Sequence, residues 1–449
     1  MSNSANPNAL TSTAPQPDEP MSFPPPPDVC VSLRVERRPF PADAIDPDAA
    51  KVLHRLRRFE FESYLVGGCV RDLLLGRRPK DFDIVTSARP NEMRRIFGNC
   101  RLIGRRFRLA HLLFKDRKII EVATFRRGAT AEDDVSEKHA AENLFGGPLD
   151  DAIRRDFTIN ALTYDLHRGE IRDYVGGLVD VERRELRTIG DPDRRLVEDP
   201  VRIIRAVKFA VRLGLTIDPL LWDAMKRHAP LVARCAMPRL AEEIFKLLRS
   251  GSAAAALRMV HEIGALAPLM AGLDRAILDA PDPGAFFALL GKTDERIRGG
   301  LPISDPVLLS ALLHPACRVA LAEDGDVAKN LETTLRPLVE PMRFTKRHMA
   351  LVRQILLAQR RLAAGAKGRH VRRILDRDYA FEAIEFLSLC PDGPGDERLA
   401  SQWCEAAAAR AGRPAAKDPE PDESPKAAPS GRRRRRRRRP GHPPQGEGV

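Results

Sequence analysis

The sequence of 449 residues has few aromatic side chains, no long apolar run and no CxxC motif. Aromatic residues make up 5% of the chain, so base stacking on aromatic side chains is not the expected way to bind nucleic acid. No segment approaches the roughly 18 consecutive apolar residues of a membrane-spanning helix, and we expect no secretory signal because the N-terminal segment lacks an apolar stretch. Seven scattered cysteines argue against a disulfide framework or a zinc cluster. We therefore expect a protein of the reducing cytoplasm without a membrane partner.

Positive charge, in contrast, is abundant. The formal net charge is +13, and eight arginines lie in one run from Arg432 to Arg439. A basic chain with such a run favours a polyanionic partner, with nucleic acid preferred to a membrane surface. A tail that only keeps the protein in solution is the alternative. We expect the basic body and the run to contact nucleic-acid phosphates.

Composition and hydrophobic periodicity predict an α+β fold in five segments. Proline-rich polar sequence predicts disorder at the start of the chain, and mixed helix and strand patterns then predict a small mixed sheet with helices. Later in the chain, helical spacing predominates. The predicted segments are a disordered leader (1–44), a head (45–165), a helical neck (166–265), a helical body (266–411) and a disordered arginine-rich tail (412–449).

One predicted helix of the neck and one of the body have clear helical spacing. The helix predicted over residues 200–213 has an apolar face and a basic face, and the basic face carries Arg202, Arg205 and Lys208. The residues alone favour a solvated surface for that face. A single helix is also predicted over residues 371–389.

Asp81 and Asp83 flank one phenylalanine at the start of a strand predicted over residues 82–85. Residues two apart on a strand point to the same side, so both carboxylates face one space. Like charges held close together are costly unless a cation lies between them. Such a pair holds Mg²⁺ well, with substrate phosphates as further ligands. Two surface acids at a strand end are the alternative.

Gly67 and Gly68 lie between a strand predicted over residues 64–66 and a helix predicted over residues 69–75. This arrangement leaves backbone N–H groups at a helix N-terminus, where phosphates bind. Arg71 adds a guanidinium group, which suits phosphate. A Gly-Gly pair alone indicates only a tight turn, but the nearby carboxylate pair favours a nucleotide site.

Several segments resemble, in order, the motifs of class II nucleotidyltransferases. They are YLVGGCVRDLLLG (64–76), KDFDI (80–84), EVATFR (121–126), RRDFTIN (154–160) and EDPVR (198–202). This family includes CCA-adding tRNA enzymes and bacterial poly(A) polymerases. The resemblance implies a nucleotidyltransferase head that uses ATP as substrate and Mg²⁺ as cofactor.

The resemblance also implies roles for the matching residues. Those implied to be catalytic are Asp81, Asp83 and Asp156. Those implied to hold the metal ion are Asp81, Asp83 and Glu121. Those implied to bind the nucleotide are Gly67, Gly68, Arg71, Arg155, Asp199, Arg202, Arg205 and Lys208. Asp199 and Arg202 are implied to hydrogen-bond the base, and their spacing of three on a predicted helix places them on one face. An ordinary strand residue remains the alternative for Glu121.

Two activities of the family share these motifs, namely poly(A) addition and CCA addition to tRNA. Residues 100–114 and the arginine-rich extension resemble those of bacterial poly(A) polymerases. We therefore expect AMP transfer from ATP to RNA 3′ ends, with release of pyrophosphate and promotion of RNA decay. A CCA-adding enzyme and a non-catalytic RNA-binding protein are the alternatives. RNA-decay proteins are expected partners, which the sequence does not identify.

Overall fold

The computed structural model describes residues 32–104, 109–127, 145–280, 283–323, 325–342, 344–366, 370–389 and 396–411. Within these residues, a mixed sheet with helices is followed by a long helical part, which confirms the predicted α+β class. Most of the predicted leader and the tail with its run from Arg432 to Arg439 lie outside the described residues, as do residues 105–108 of the segment 100–114.

The described strands of the head form one sheet. They are β1 (Arg34–Arg37), β2 (Ser63–Val66), β3 (Asp83–Thr86), β4 (Cys100–Ile103), β5 (Leu109–Leu113), β6 (Ile119–Thr124), β7 (Thr163–Asp165) and β8 (Glu170–Asp173). Their order in space is β1-β8-β7-β2-β3-β6-β5-β4. β3 and β6 run parallel, and the other described neighbours run antiparallel. A separate parallel pair joins β9 (Glu185–Leu186) to β10 (Thr216–Ile217).

The described helices fall into three groups along the chain, and the first group extends to residue 183, beyond the predicted end of the head at residue 165. Those of the head are α1 (Pro47–Arg58), α2 (Gly68–Leu74), α3 (Pro90–Ile96), α4 (Pro148–Ile153) and α5 (Gly177–Arg183). Those of the neck are α6 (Pro192–Glu198), α7 (Val201–Leu213), α8 (Pro219–His228), α9 (Met237–Leu248) and α10 (Ala253–Glu262). Those of the body are α11 (Leu266–Leu269), α12 (Ala271–Leu278), α13 (Pro283–Arg298), α14 (Asp305–Ala322), α15 (Val327–Val339), α16 (Lys346–Leu362), α17 (His370–Leu375), α18 (Ala380–Leu389) and α19 (Asp396–Ala411).

The sheet of the head extends beyond residues 45–165. β1 lies within the predicted leader, and β8 lies beyond the predicted end of the head. β8 pairs with both β1 and β7, so the three strands belong to one sheet. Three of the four residues of β1 are exposed, and this edge strand therefore lacks the apolar alternation that reveals a strand in a sequence. The other predicted boundaries stay predictions.

The helix predicted over residues 371–389 is wrong as a single element. α17 ends at Leu375 and α18 begins at Ala380. The intervening turn contains Asp376 and Asp378, whose short polar side chains favour turns over helix interiors. Apolar residues have helical spacing on both sides of the turn, so the sequence pattern predicted one continuous helix.

One described helix, α14, has the length and composition of a membrane-spanning helix. Sixty-one per cent of this segment is buried inside the protein, where it packs against α15, α16 and α18. A buried core helix meets the same two criteria, so the feature is weak evidence for a span.

A continuous hydrophobic core joins the head to the neck. Phe157, which follows α4, meets Phe209 of α7 edge to face, with ring centroids 5.8 Å apart. Both side chains are buried, and burial of one phenylalanine contributes about 1.5–3 kcal/mol. This contact fixes α7 against the part of the head that carries the candidate site.

Candidate active site

The C-terminal end of β2, the start of β3 and the first half of β6 lie side by side at one edge of the sheet. β2 and β3 pair so that Val66 lies opposite Asp83. β3 and β6 pair in parallel with Ile84 opposite Val122, which places Asp83 level with Glu121. The glycine turn follows β2, so this edge carries the turn, Asp83 and Glu121 in that order.

The turn between β2 and α2 requires a glycine at position 67. Gly67 has a φ of +74°, a conformation that side-chain-bearing residues rarely adopt. A Cβ atom there would lie 3.4 Å from Nη1 of Arg155 and 3.6 Å from the carbonyl oxygen of Asn160. The sequence therefore predicts the position of this turn, the structure adds its conformation, and Arg155 lies directly beside it.

A cavity of about 530 Å³ lies beside Asp83 and contains the three predicted metal-binding carboxylates, Asp81, Asp83 and Glu121. Asp81 precedes β3, which begins at Asp83, yet the two residues still share this cavity. Among the described residues, no group of three or more His, Cys, Asp or Glu side chains is arranged to hold a metal ion. The structure thus brings the three acids into one cavity, but their side chains are not arranged as a complete set of metal ligands.

Burial raises the pKa of Asp83 to about 6, and the neighbouring charges of Glu121 and Asp81 act in the same direction. The positive charge of Arg155 opposes this rise. A desolvated carboxyl group beside other carboxylates has a raised pKa, and a bound cation would lower that pKa again. On the far side of Glu121, its Oε1 atom lies 3.4 Å from Nε2 of His111. His111 is thus paired with a carboxylate of the neighbouring strand.

Arg71 lies behind the glycine turn and does not project from it. Arg71 is buried, with 3% of its surface exposed. Its Nε and Nη2 atoms donate to Oδ1 of Asp72 at 2.9 and 2.7 Å. Nη1 donates to Oδ1 of Asn160 at 2.6 Å. A Cβ atom on Gly68 would lie 3.5 Å from Nη2 of Arg71. Arg71 therefore supports the turn from within, and its contact with a triphosphate stays a prediction.

Arg155 is the cation that faces both the turn and the acids. Its Nε and Nη2 atoms donate to the buried carboxylate of Asp151 at 3.1 and 2.8 Å. Nη1 donates to the carbonyl oxygen of Asn160 at 3.4 Å. Asp151 thereby fixes the guanidinium group beside Gly67, within electrostatic range of Asp83. This placement suits the predicted contact with a nucleotide phosphate.

Asp156 does not line the cavity of Asp81 and Asp83. Its carboxylate accepts hydrogen bonds from the Asn160 amide at 3.1 Å and from the backbone N–H of Phe157 at 2.9 Å. Arg205 donates two further bonds. Burial would raise the pKa of Asp156, but the charge of Arg205 and these bonds outweigh that effect and lower it. The structure thus places Asp156 in a link between head and neck.

The basic face predicted on α7 is not a solvated surface. Lys208 is 8% exposed, and its Nζ atom donates to Glu243 of α9 at 2.5 Å. Burial lowers the pKa of Lys208 despite the charge of Glu243. Arg205 lies 3.6 Å from the same carboxylate. The surface interpretation is wrong for Lys208, because packing of α9 against α7 buries it.

Asp199 and Arg202 do not share a helix. Asp199 is the C-terminal cap of α6, and α7 begins after Pro200. Proline disfavours helical conformation in the residue before it, so the helices divide here. Asp199 accepts two hydrogen bonds from Arg239 at 3.0 and 2.6 Å. Arg202 donates to Glu198 at 3.2 Å and to the carbonyl oxygen of Arg195 at 2.5 Å.

Sequence reasoning missed two residues that organise the site. Asn160 bridges Arg71 and Asp156, and the motif RRDFTIN (154–160), which it ends, gave no sign of this role. Glu243 pairs with Lys208, from which it is separated by 35 residues. A buried glutamate among apolar helix residues was the available signal, because such groups require partners.

Comparison with known proteins shows the family of this chain. Poly(A) polymerase I of Salmonella typhi is 36% identical over 388 residues, which cover 80% of this chain and 82% of the relative. The chain belongs to the bacterial poly(A) polymerase I family. A polymerase of this family is a polynucleotide adenylyltransferase, which confirms the predicted enzyme class. A CCA-adding enzyme of Bacillus pumilus is 37% identical over 201 residues, 45% of this chain and 49% of the relative.

Three segments of this chain match family models. Residues 63–187 match "Poly A polymerase head domain", residues 214–277 match "Probable RNA and SrmB- binding site of polymerase A", and residues 327–440 match "Polymerase A arginine-rich C-terminus". Among solved structures, the Bacillus stearothermophilus CCA-adding enzyme in complex with CTP is 25% identical, with a TM-score of 0.62. That alignment covers 81% of this chain and 83% of the other.

Proposed function

We propose that this protein adds AMP from ATP to RNA 3′ ends without a template. One observation carries the proposal, namely that the glycine turn with Arg155 and the cavity with Asp81 and Asp83 lie at the same sheet edge. The turn and its arginine suit the triphosphate, and the acids suit the reacting phosphate. We infer that ATP and an RNA 3′ end are the two substrates, because the chain belongs to the poly(A) polymerase I family.

The RNA supplies the nucleophile in this reaction. Its terminal 3′-hydroxyl oxygen attacks the α-phosphorus of ATP, a new phosphodiester bond forms, and the bond to the β-phosphate breaks. Pyrophosphate leaves, and the hydroxyl proton passes to a carboxylate or to water. Positioning and charge stabilisation then account for most of the catalysis, as in other phosphoryl transfers.

The carboxylates fit a Mg²⁺ cofactor. Mg²⁺ is usually held by one or two carboxylates together with waters and substrate phosphates, so a closed protein cage is not required. The raised pKa of Asp83 reflects burial and the charges of Glu121 and Asp81, which a cation would offset. Asp81 and Asp83 would hold the ion with Glu121 nearby. When bound, Mg²⁺ would activate the hydroxyl group and stabilise the leaving pyrophosphate.

The cellular part of the proposal concerns RNA decay in the cytoplasm. The scattered cysteines suit a reducing compartment. A short poly(A) tail gives decay enzymes an unstructured 3′ end, so we propose that tailing promotes decay of messenger RNA and engages decay proteins. The run from Arg432 to Arg439 supports RNA contact through phosphates.

CCA addition is the second candidate, because the fold also resembles a CCA-adding enzyme. To distinguish the two, the protein is incubated with oligo(A) and with a tRNA that ends before CCA, with ATP alone or with CTP and ATP. Long ladders on oligo(A) with ATP support the proposal. Three-nucleotide products confined to tRNA would overturn it in favour of CCA addition, and no incorporation with any divalent ion would favour a binding protein.

A further inference from the structure

The sheet order separates two flanks of the acidic centre. β3 lies between β2 and β6, so the glycine turn and Glu121 lie on opposite sides of Asp83. The cavity of about 530 Å³ lies on the Glu121 side and includes neither Gly67 nor Arg155. The two flanks are therefore different spaces that meet at Asp83.

Three cations line the cavity on the Glu121 side of Asp83. Two of them make no ion pair among the described residues. Lys118 is held by Asp46 at 2.5 Å and by Asp48 at 2.9 Å. Lys80 and Arg117 are exposed, line the cavity and make no ion pair with the part of the chain that the structure describes. An acidic centre with two unpaired cations at its edge suits a ligand that is itself anionic.

The backbone holds Arg117 at the edge of this cavity. Arg117 and the preceding Asp116 both have positive φ values, 60° and 57°. Non-glycine residues adopt this conformation at a cost, and such positions cluster at functional sites. The turn is closed by hydrogen bonds between Phe114 and Lys118 (2.8 Å) and between Lys118 and Lys115 (3.2 Å). Because this turn joins β5 to β6, the two strands determine the backbone position from which the Arg117 side chain extends.

We propose that this flank receives the 3′ end of the RNA and that Lys80 and Arg117 bind its last phosphodiester groups. The inference rests on the proposed function. The glycine turn and Arg155 take the triphosphate, so the attacking hydroxyl group approaches Asp83 from the opposite side. The cavity has the size of a small-ligand site and accommodates one nucleoside. Phosphate contacts position RNA without reading its sequence, which suits a tailing enzyme.

The test compares Lys80→Ala and Arg117→Ala with matched controls. Arg78→Ala and Lys115→Ala each remove an exposed cation two residues away that does not line the cavity. We expect each cavity variant to raise the KM for oligo(A) by at least about tenfold, as for loss of one charged hydrogen bond. The KM for ATP of the cavity variants should stay at the wild-type value. Both KM values of the control variants should also stay at the wild-type values. A raised KM for ATP with an unchanged KM for oligo(A) would overturn the proposal.

A chemical change in the primer tests the contact itself. Oligo(A) with uncharged methylphosphonates at its last two linkages should bind the wild-type protein more weakly. Arg117→Ala and Lys80→Ala should then cause no further loss, because the interacting charge is already absent. Losses that simply multiply would show that these cations do not meet the terminal phosphates.

The two hypotheses fail in distinguishable ways. Fluorescence anisotropy of labelled oligo(A) without ATP measures primer binding whether or not the protein transfers AMP. A wild-type protein that transfers no AMP would reject the proposed function. A wild-type protein that does transfer AMP, with cavity variants that match it in KM and anisotropy, would reject the primer flank alone.

Discussion

Arg205 of α7 donates two hydrogen bonds, of 2.8 and 2.5 Å, to Asp156 of the head. The same carboxylate accepts from Asn160, whose side-chain oxygen accepts from Arg71 behind the glycine turn. A continuous polar path therefore runs from the turn to the neck. Asp156, implied to be catalytic, and Arg205, implied to bind the nucleotide, thus form an ion pair with each other in this structure.

The first prediction concerns this ion pair. Asp156→Asn removes the carboxylate that accepts two hydrogen bonds from Arg205 and leaves this guanidinium group only the more distant charge of Glu243 at 3.6 Å. We expect the free energy of unfolding to fall by about 1–3 kcal/mol, and AMP transfer to fall with it because α7 loses its anchor. Denaturant unfolding and initial rates on oligo(A) measure the two effects.

Arg205→Lys is the matched variant for the ion pair. It keeps the charge but loses the fork that makes two bonds, so its effect should be intermediate. Full stability of Asp156→Asn together with complete loss of turnover would mean that the carboxylate acts in chemistry, as the family resemblance implies.

The second prediction concerns pH and Asp151, which is 2% exposed and receives hydrogen bonds from Arg154 and Arg155. Burial would raise the pKa of Asp151, but the two guanidinium charges outweigh it and lower the pKa. Such a carboxyl group stabilises the fold above its unfolded-state pKa of about 4, and this contribution is lost as pH falls through the lower folded-state value.

Wild-type protein should therefore lose stability as the pH is lowered from about 5 towards 2. Asp151→Asn should be less stable at neutral pH and should show a shallower decline over that window. Denaturant unfolding at a series of pH values measures both slopes. Parallel slopes would show that Asp151 does not contribute to acid unfolding.

The third prediction concerns the acid pair. Asp81→Asn or Asp83→Asn should reduce AMP transfer by at least about a thousandfold, since each removes a proposed ligand of the metal ion. Stability should stay equal or rise, because the change relieves repulsion between carboxylates. Asp116→Asn is the control, since this exposed acid on the nearby turn does not line the cavity. Near-normal turnover of Asp81→Asn or Asp83→Asn would remove that residue from the metal site.

Local features of the sequence predicted the positions of the glycine turn and of the acid pair in the fold. Gly67 and the acids Asp81 and Asp83 lie where their motifs indicate, because a turn and a strand start depend on neighbouring residues. Lys208 could not be placed this way, since its burial depends on Glu243, which lies 35 residues later. Long-range packing overrode the local pattern of charges there.

Helix boundaries failed for a different reason. Asp199 and Arg202 have helical spacing, but Pro200 between them divides α6 from α7. The residue that invalidates the one-face argument was thus visible in the sequence. What the sequence did not show is Arg239, which reaches Asp199 from α9.

The fourth prediction uses this last contact. Arg239→Ala releases the Asp199 carboxylate from its two hydrogen bonds. If Asp199 serves the base of the nucleotide, loss of its orientation should lower discrimination between ATP and CTP by about threefold to tenfold. Arg234→Ala, which removes an exposed arginine before α9, is the control. Unchanged ratios of kcat/KM in both Arg239→Ala and Asp199→Ala would contradict a role in base choice.

The fifth prediction concerns the arginine run, which lies outside the described residues. Each phosphate that the run neutralises releases counterions, so the salt dependence of affinity for single-stranded RNA changes by about 0.7 in log–log slope per contact. Deleting residues 412–449 should weaken oligo(A) binding at low salt and flatten this slope. Single-nucleotide addition on saturating primer should stay close to normal, because the acids and the glycine turn are intact.

A second variant separates charge from chain length. Replacing the eight residues from Arg432 to Arg439 by glutamine keeps the tail but removes its charge. If the run acts through phosphates, this variant should reproduce the weakened binding and flattened slope of the deletion. Affinities for oligo(A) measured at several salt concentrations decide the matter. Equal slopes for all three proteins would mean that the run does not contact the RNA and serves solubility instead.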